Sequence, residues 1–221
     1  MAVIAIVFDF DGTLVDSAPG LAASANVVLD EWGHPPITVE DAQNFIGDGM
    51  AVFSERAVAK GGGVLKAEDQ EKFVARFRAI YREKDAEETV LYPGALETLE
   101  MLADSGIRMG LCTNKPYEAT LPILSAVGID GHLSAVFGGD SLDGIRKPDP
   151  RHVLAVLDAL ETSPTEAVMV GDSPNDVKAG QAAGLTVYAV TYGYSLGPVE
   201  NLGADRLIDS LAELPGLISA T

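Results

Sequence analysis

Cysteine is almost missing from this chain. Cys112 stands alone, so no intramolecular disulfide can form, which fits a reducing compartment. Positive charge is scarce too: 15 lysines and arginines face 33 aspartates and glutamates, for a formal net charge of -18. No basic stripe offsets that excess, and a nucleic-acid backbone would be repelled, so nucleic acid is excluded as a partner. Long apolar runs are lacking as well; none approaches the roughly 18 uninterrupted residues that a membrane span requires. The apolar opening, Met1 to Phe8, has no basic leader or small-residue cleavage site and stops at Asp9 and Asp11. It is therefore expected not to be a signal peptide, and the protein is expected in the cytoplasm as a monomer or homodimer. His34, His132 and His152 share no ligand spacing, which predicts surface or capping roles.

What is present suits a folded protein. With 221 residues, 47% of them hydrophobic, the chain can bury one good core and a smaller appended unit. The run Ala2-Val3-Ile4-Ala5-Ile6-Val7-Phe8 is β-branched and apolar without alternation, as in a strand buried on both faces of a parallel sheet. From Pro19 to about Glu88 only helical patterns appear: one through Trp32, then Val39 to Ile46, Met50 to Lys60, and a long amphipathic one through Tyr81 and Arg82. Trp32, Phe73, Phe77 and Tyr81 read as the core of that helical segment, and Gly61-Gly62-Gly63 as a flexible joint within it.

After Tyr92-Pro93-Gly94 strands and helices alternate. The predicted strands are Arg108 to Cys112, Ala135 to Phe137, Val168 to Val170 and Thr186 to Val190; helices lie near Ala95 to Ala103, Tyr117 to Val127, Arg151 to Leu160 and Val177 to Ala183. Pro122 predicts a kink or a late start in the second of these. The assembly is an α/β fold, a doubly wound Rossmann-like parallel sheet core with an inserted all-helical cap. Residues 1–15 and 89–221 form the core and 16–88 the cap. Ligands of such sheets bind beyond the carboxyl ends of the strands, so the loops there should hold the chemistry.

Those loops carry complementary groups. Asp9 and Asp11 stand two apart, so in extended backbone both face the same side beyond the first strand. Paired carboxylates there need a cation, and Mg²⁺, a hard ion that takes oxygen ligands and substrate phosphate, suits them. Without further signals the pair could equally end a strand and cap a turn. Three more predicted strand ends add Thr113-Asn114-Lys115, Arg146-Lys147-Pro148-Asp149-Pro150 and Gly171-Asp172-Ser173-Pro174-Asn175-Asp176. Asp176 also reads as the N3 residue of a helix capped by Ser173, and Asp149 as the cap of the next helix upstream.

Taken in order, Asp9-Phe10-Asp11-Gly12-Thr13, Thr113-Asn114, Lys147-Pro148 and Gly171-Asp172 through Asp176 resemble the four motifs of the haloacid dehalogenase superfamily. Further likeness to phosphoglycolate phosphatases runs through Phe45-Ile46-Gly47-Asp48-Gly49-Met50, Ser54-Glu55-Arg56-Ala57, Thr113-Asn114-Lys115-Pro116 and Thr191-Tyr192-Gly193-Tyr194, covering nearly the whole chain. Asp48, where that pattern more often has Asn, and the Gly61-Gly62-Gly63 linker depart from it.

That resemblance implies a Mg²⁺-dependent hydrolysis of a small anionic phosphate ester, 2-phosphoglycolate, through an aspartyl-phosphate. It makes Asp9 the nucleophile and Asp11 the general acid and base. Asp9, Asp172 and the Asp11 carbonyl become the metal ligands, while Thr113, Asn114 and Lys147 bind the phosphoryl group. Asp176 is expected to orient Lys147 or a metal-bound water. Gly47, Asp48, Gly49, Arg56 and Lys115 are candidates for substrate specificity. The alternatives are a broader sugar-phosphate phosphatase, a phosphomutase, or a non-catalytic phosphate-binding protein on the same scaffold.

Overall fold

Four apolar residues in succession, without a polar face, leave the first strand no stable place but the middle of a sheet. In the computed structural model, which describes residues 3–195 and 197–219, that strand, β1 (Ala5–Phe8), is buried throughout. It begins later than the sequence pattern suggests, with Val3 and Ile4 outside it; Ala2 lies outside the described residues. The chain continues through β2 (Val15–Asp16), α1 (Ala18–Glu31), α2 (Val39–Phe45), α3 (Met50–Lys60), α4 (Ala67–Glu88) and β3 (Val90–Leu91). Alternation follows: α5 (Ala95–Asp104), β4 (Arg108–Cys112), α6 (Tyr117–Ala126), β5 (Ala135–Phe137), α7 (Pro150–Ala159), β6 (Ala167–Gly171), α8 (Pro174–Ala182), β7 (Thr186–Val190), β8 (Arg206–Ile208) and α9 (Leu214–Ser219).

Six strands form a parallel sheet in the order β5-β4-β1-β6-β7-β8. Phe8 lies opposite Leu111 on one side and Val170 on the other. Chain order reverses direction at β1, so the crevice for a ligand opens beside the carboxyl end of that strand. Side chains alternate between two buried faces. Ile6, Phe8, Leu111 and Val170 pack with Leu99 of α5, Ile123 of α6 and Leu214 of α9, whereas Ala5, Val7 and Met169 pack with Val153 and Val156 of α7 and Val177 of α8. Each fully buried aliphatic side chain of this kind stabilises the fold by roughly 1.5–3 kcal/mol. The expected doubly wound α/β core is therefore borne out.

Four elements differ from the sequence reading. β8 was not expected, because a three-residue strand beginning with Arg206 carries too short a pattern to register. β2 and β3, two residues each, pair with each other in a small separate ribbon. Pro122 does not delay α6, which starts at Tyr117 and runs through it; the bond the proline cannot donate would reach Glu118, an exposed residue of the first turn whose carbonyl water can serve.

The chain divides into two compact units, Met1–Val15 with Leu91–Thr221, and Asp16–Val90. The second has its own core, in which Phe73, Phe77 and Tyr81 of α4 meet Phe53 of α3, Leu29 of α1 and Ala42 of α2. Trp32 meets Phe73 edge to face, with ring centroids 5.4 Å apart. No helix among the described residues is long and apolar enough to cross a membrane.

Candidate active site

β1 delivers Asp9 to the sheet's carboxyl edge, where its backbone N–H donates to the Val170 carbonyl at 2.8 Å and so continues the ladder one residue beyond the strand. The chain then turns sharply. The amides of Thr13, Leu14 and Val15 all donate to the Phe10 carbonyl, and Gly12 donates to Val15, closing a tight loop around Asp11. Gly12 sits at φ +86°, and a Cβ there would lie 2.3 Å from an oxygen of Asp172. Only glycine satisfies both the turn and that approach.

Lys147 reaches the same point from the loop before α7. Its ammonium, 3% exposed, donates to Asp9 Oδ1 and to Asp176 Oδ1, each at 2.6 Å. Burial alone would strip this lysine of its proton, but Asp176 and Asp9 outweigh it and raise its pKa, so Lys147 is a cation at any working pH. Asp176 spends its second oxygen on the amides of Asp172 and Ser173 and on the Ser173 hydroxyl. It thus closes the capping box of α8 and holds Lys147 with the same carboxylate. The two roles weighed for Asp176 from the sequence, helix cap and partner of Lys147, coexist in its geometry.

Asp172, at the end of β6, is buried and accepts the Tyr194 N–H at 2.5 Å. One carboxylate oxygen from each of Asp9, Asp172 and Asp176 lies within 4.8 Å of the others. Burial, then Asp176, push the Asp9 carboxyl up to about 7 despite the opposing pull of Lys147. Burial, Asp176 and Asp9 likewise raise Asp172 well above the usual carboxylate range. Three buried carboxylates share one ammonium, so the cluster is short of positive charge. An all-oxygen donor set with that deficit fits a hard divalent cation. Because both oxygens of Asp176 are already engaged, Asp9 and Asp172 are the side chains better placed to hold one.

β4 brings the next loop. Thr113 is buried, its hydroxyl accepting the Lys115 N–H at 3.1 Å. Asn114 donates its amide to the Lys147 carbonyl at 2.9 Å, which ties the two loops together. Lys115, expected from the sequence only as a specificity residue, turns its amine to Asp11 Oδ1 at 3.4 Å with a side chain that is nearly buried. Support comes from behind, where Gly138 and Gly139 press so closely on Asn114, Lys115 and Tyr117 that a Cβ at either would meet backbone at 2.4 Å. His152 holds Gly138 in turn, with Nε2 3.1 Å from its carbonyl. Contrary to the surface or capping role expected, His152 is fully buried: it lies on the inner face of α7, where burial lowers its pKa to about 4 and keeps it neutral, with its one N–H on Nε2 to donate to that carbonyl.

The core unit thus brings Asp9, Asp11, Thr113, Asn114, Lys115, Lys147, Asp172 and Asp176 to one end of one sheet. Gly47, Asp48, Gly49 and Arg56 belong to the other unit, where they form a group of their own. Arg56 donates to Asp48 Oδ2 at 2.6 Å and to the Phe45 carbonyl at 3.2 Å. Gly47 and Gly49 take φ of +112° and +90°, which lets this loop turn into α3. Sequence reasoning missed the Tyr194 amide and the role of His152. Backbone donors carry no side-chain signature, although the capping pattern around Ser173 was visible.

Three buried carboxylates and one lysine thus stand at the switch point of a parallel sheet, where ligands of such folds bind. The chain belongs to the haloacid dehalogenase-like hydrolase family, whose model matches residues 6–190; it is an enzyme. Within the family it is similar to phosphoglycolate phosphatases: 42% identical over 214 residues to that of Cereibacter sphaeroides, covering 96% of both chains. It is 39% identical over 210 residues to that of Caulobacter vibrioides, covering 95% of this chain and 88% of the relative. Among solved structures, a predicted phosphoglycolate phosphatase from Haemophilus somnus matches with a TM-score of 0.91 and 34% identity over 97% of each chain.

Proposed function

We propose that this enzyme hydrolyses 2-phosphoglycolate to glycolate and inorganic phosphate, with Mg²⁺ and through an aspartyl-phosphate. The observation that supports it best is Lys147 bonded to both Asp9 and Asp176 beside Asp172, in a chain similar from end to end to phosphoglycolate phosphatases. Asp9, Asp172 and the Asp11 carbonyl would hold the ion, which when bound supplies positive charge to the transferring phosphoryl group.

Within that reading Lys147 opposes the burial that disfavours the Asp9 charge and aims its carboxylate. A carboxylate oxygen of Asp9 attacks phosphorus in line, an acyl P–O bond forms, and the ester P–O bond breaks. Asp11, as the carboxylic acid, gives its proton to the departing glycolate oxygen. Water then attacks the same phosphorus while Asp11, now a carboxylate, takes its proton; the bond to Asp9 breaks and inorganic phosphate leaves. The Thr113 hydroxyl, whose oxygen accepts from Lys115, keeps its own proton to donate to a phosphoryl oxygen. Asn114 contributes by fixing the Lys147 loop as well as by any direct contact. Lys115 supplies a second cation near Asp11 for an anionic substrate. The single buried thiol and the absence of a membrane-spanning helix among the described residues agree with a site of action in the cytoplasm.

The deciding experiment measures phosphate release from a panel of small phosphate esters with and without Mg²⁺. Preference for 2-phosphoglycolate that vanishes with EDTA is the expected result. Faster turnover of a sugar phosphate or nucleotide would overturn the substrate, and an isomer formed with little free phosphate would turn the assignment to a mutase.

A further inference from the structure

The segment after β7 does more than donate one amide. Tyr192 places its hydroxyl 2.8 Å from the Thr13 carbonyl, donating to it across 179 residues of chain. Its ring stacks on Tyr92, with centroids 4.4 Å apart and planes tilted by 47°, and Tyr92 in turn donates its N–H to the Leu14 carbonyl at 3.0 Å. Next in sequence, Gly193 lies so close that a Cβ would fall 2.2 Å from the Asp172 Cβ and 2.7 Å from the Gly12 carbonyl oxygen. Tyr194 then holds the Asp172 carboxylate. Three consecutive residues therefore grip the Asp11 turn on one side and Asp172 on the other.

We propose that Tyr192 is a positioning residue: its hydroxyl on Thr13 and its ring on Tyr92 fix the Gly12–Val15 turn so that Asp11 meets the leaving group. This rests on the phosphatase reading above. The physical case is one of accounting for backbone groups. Phe10 accepts three amides of this turn and Val15 a fourth, but the carbonyl of Thr13, a fully buried residue, finds its donor among the described residues on another loop, at Tyr192. A buried carbonyl held by a side-chain hydroxyl loses its partner when that hydroxyl is removed, and the turn is then loosened at the point that carries Asp11. The ring has a separate duty. It covers the place where the chain re-enters this unit after β3, so removing the hydroxyl alone leaves the packing in place.

Tyr192→Phe separates the two. Hydrogen exchange of the Gly12, Thr13, Leu14 and Val15 amides is compared with that of the β6 amides, in the full-length protein. We expect exchange in the turn to rise by about tenfold, the scale of one neutral hydrogen bond, while β6 is unchanged. Unchanged exchange in the turn, or an equal rise in both places, would overturn the proposal. Kinetics supply a second test. With an alkyl phosphate, kcat/KM should fall by about tenfold, because its leaving oxygen needs the Asp11 proton; with p-nitrophenyl phosphate, whose phenolate departs without one, by less than about twofold, since kcat/KM stops at the phosphoryl transfer and excludes the water attack that both esters share. Equal losses on both esters would show a structural part only and defeat the assignment. Exchange reads the turn without substrate, so an inactive wild-type enzyme would strike the phosphatase reading and leave this measurement to decide the role of Tyr192.

Discussion

Two ion pairs of identical length make an instructive contrast. In the core unit Lys147 meets Asp9 at 2.6 Å, with side chains 2% and 11% exposed; in the helical unit Arg56 meets Asp48 at 2.6 Å, with side chains 34% and 41% exposed. Distance alone would rank them equal. Water around the second pair screens the attraction and solvates either partner if the other is lost, so it is worth at most about 1 kcal/mol. Around the first there is little water to take that role, and each charge depends on the other. Burial, not contact, decides which pair can drive chemistry and which only shapes a loop.

The contrast can be broken or sharpened by substitution, most forcefully at Asp9, the proposed nucleophile. Asp9→Asn should lower phosphate release at least roughly 10⁴-fold, the scale on which loss of an attacking group is felt, without lowering the melting temperature. A neutral amide suits a site where burial already resists the Asp9 charge. Substantial remaining turnover would remove Asp9 from that role. Lys147→Met should cost about 10²–10³-fold in kcat. It should also cost about 3–5 kcal/mol in denaturant unfolding, since Asp9 and Asp176 would face each other without their shared cation. A loss below 1 kcal/mol would put this pair in the same category as the exposed one.

A smaller effect is expected from His152, whose pKa lies near 4 in the fold against about 6.5 for an unperturbed histidine. Between those values the unfolded chain binds more protons than the folded one, so His152 makes stability rise with pH over that window and fall as acid is added. His152→Gln should flatten that part of the profile in urea titrations from pH 4 to 6.5; an unaltered slope would show that the histidine is not the group responsible. Smallest of all, Arg56→Ala should change unfolding free energy by no more than about 1 kcal/mol. A loss of several kcal/mol would mean that the Phe45–Gly49 loop depends on this arginine far more than its exposure implies.

Much of the catalytic end was legible because its residues travel in short contiguous motifs at strand ends. Asp9 with Asp11, Lys147 before a proline, and Asp172 with Asp176 each carry their spacing within a few positions, and the central strand announces itself by apolar residues on both faces. Other features depend on groups that leave no mark in one-dimensional pattern. The bond from the Asn114 amide to the Lys147 carbonyl has no signature in sequence. Tyr194 acts through its backbone, and Tyr192 through a carbonyl 179 positions away. His152 looked like a surface residue because a lone histidine in an amphipathic helix does not reveal which face it occupies. β8 and the β2–β3 ribbon escaped notice because two or three residues are too few for a period to repeat.

The position of β1 also shapes how this chain must be born. β1 emerges from the ribosome before either of its neighbours in the sheet, yet ends up between them, with Leu111 and Val170 opposite Phe8. At about 5–20 residues per second, roughly 5–20 s pass before even the nearer partner is made. Until then an apolar segment that leads into Asp9 has no edge to join. Chaperone shelter or early folding of the intervening helical segment would matter most during that interval.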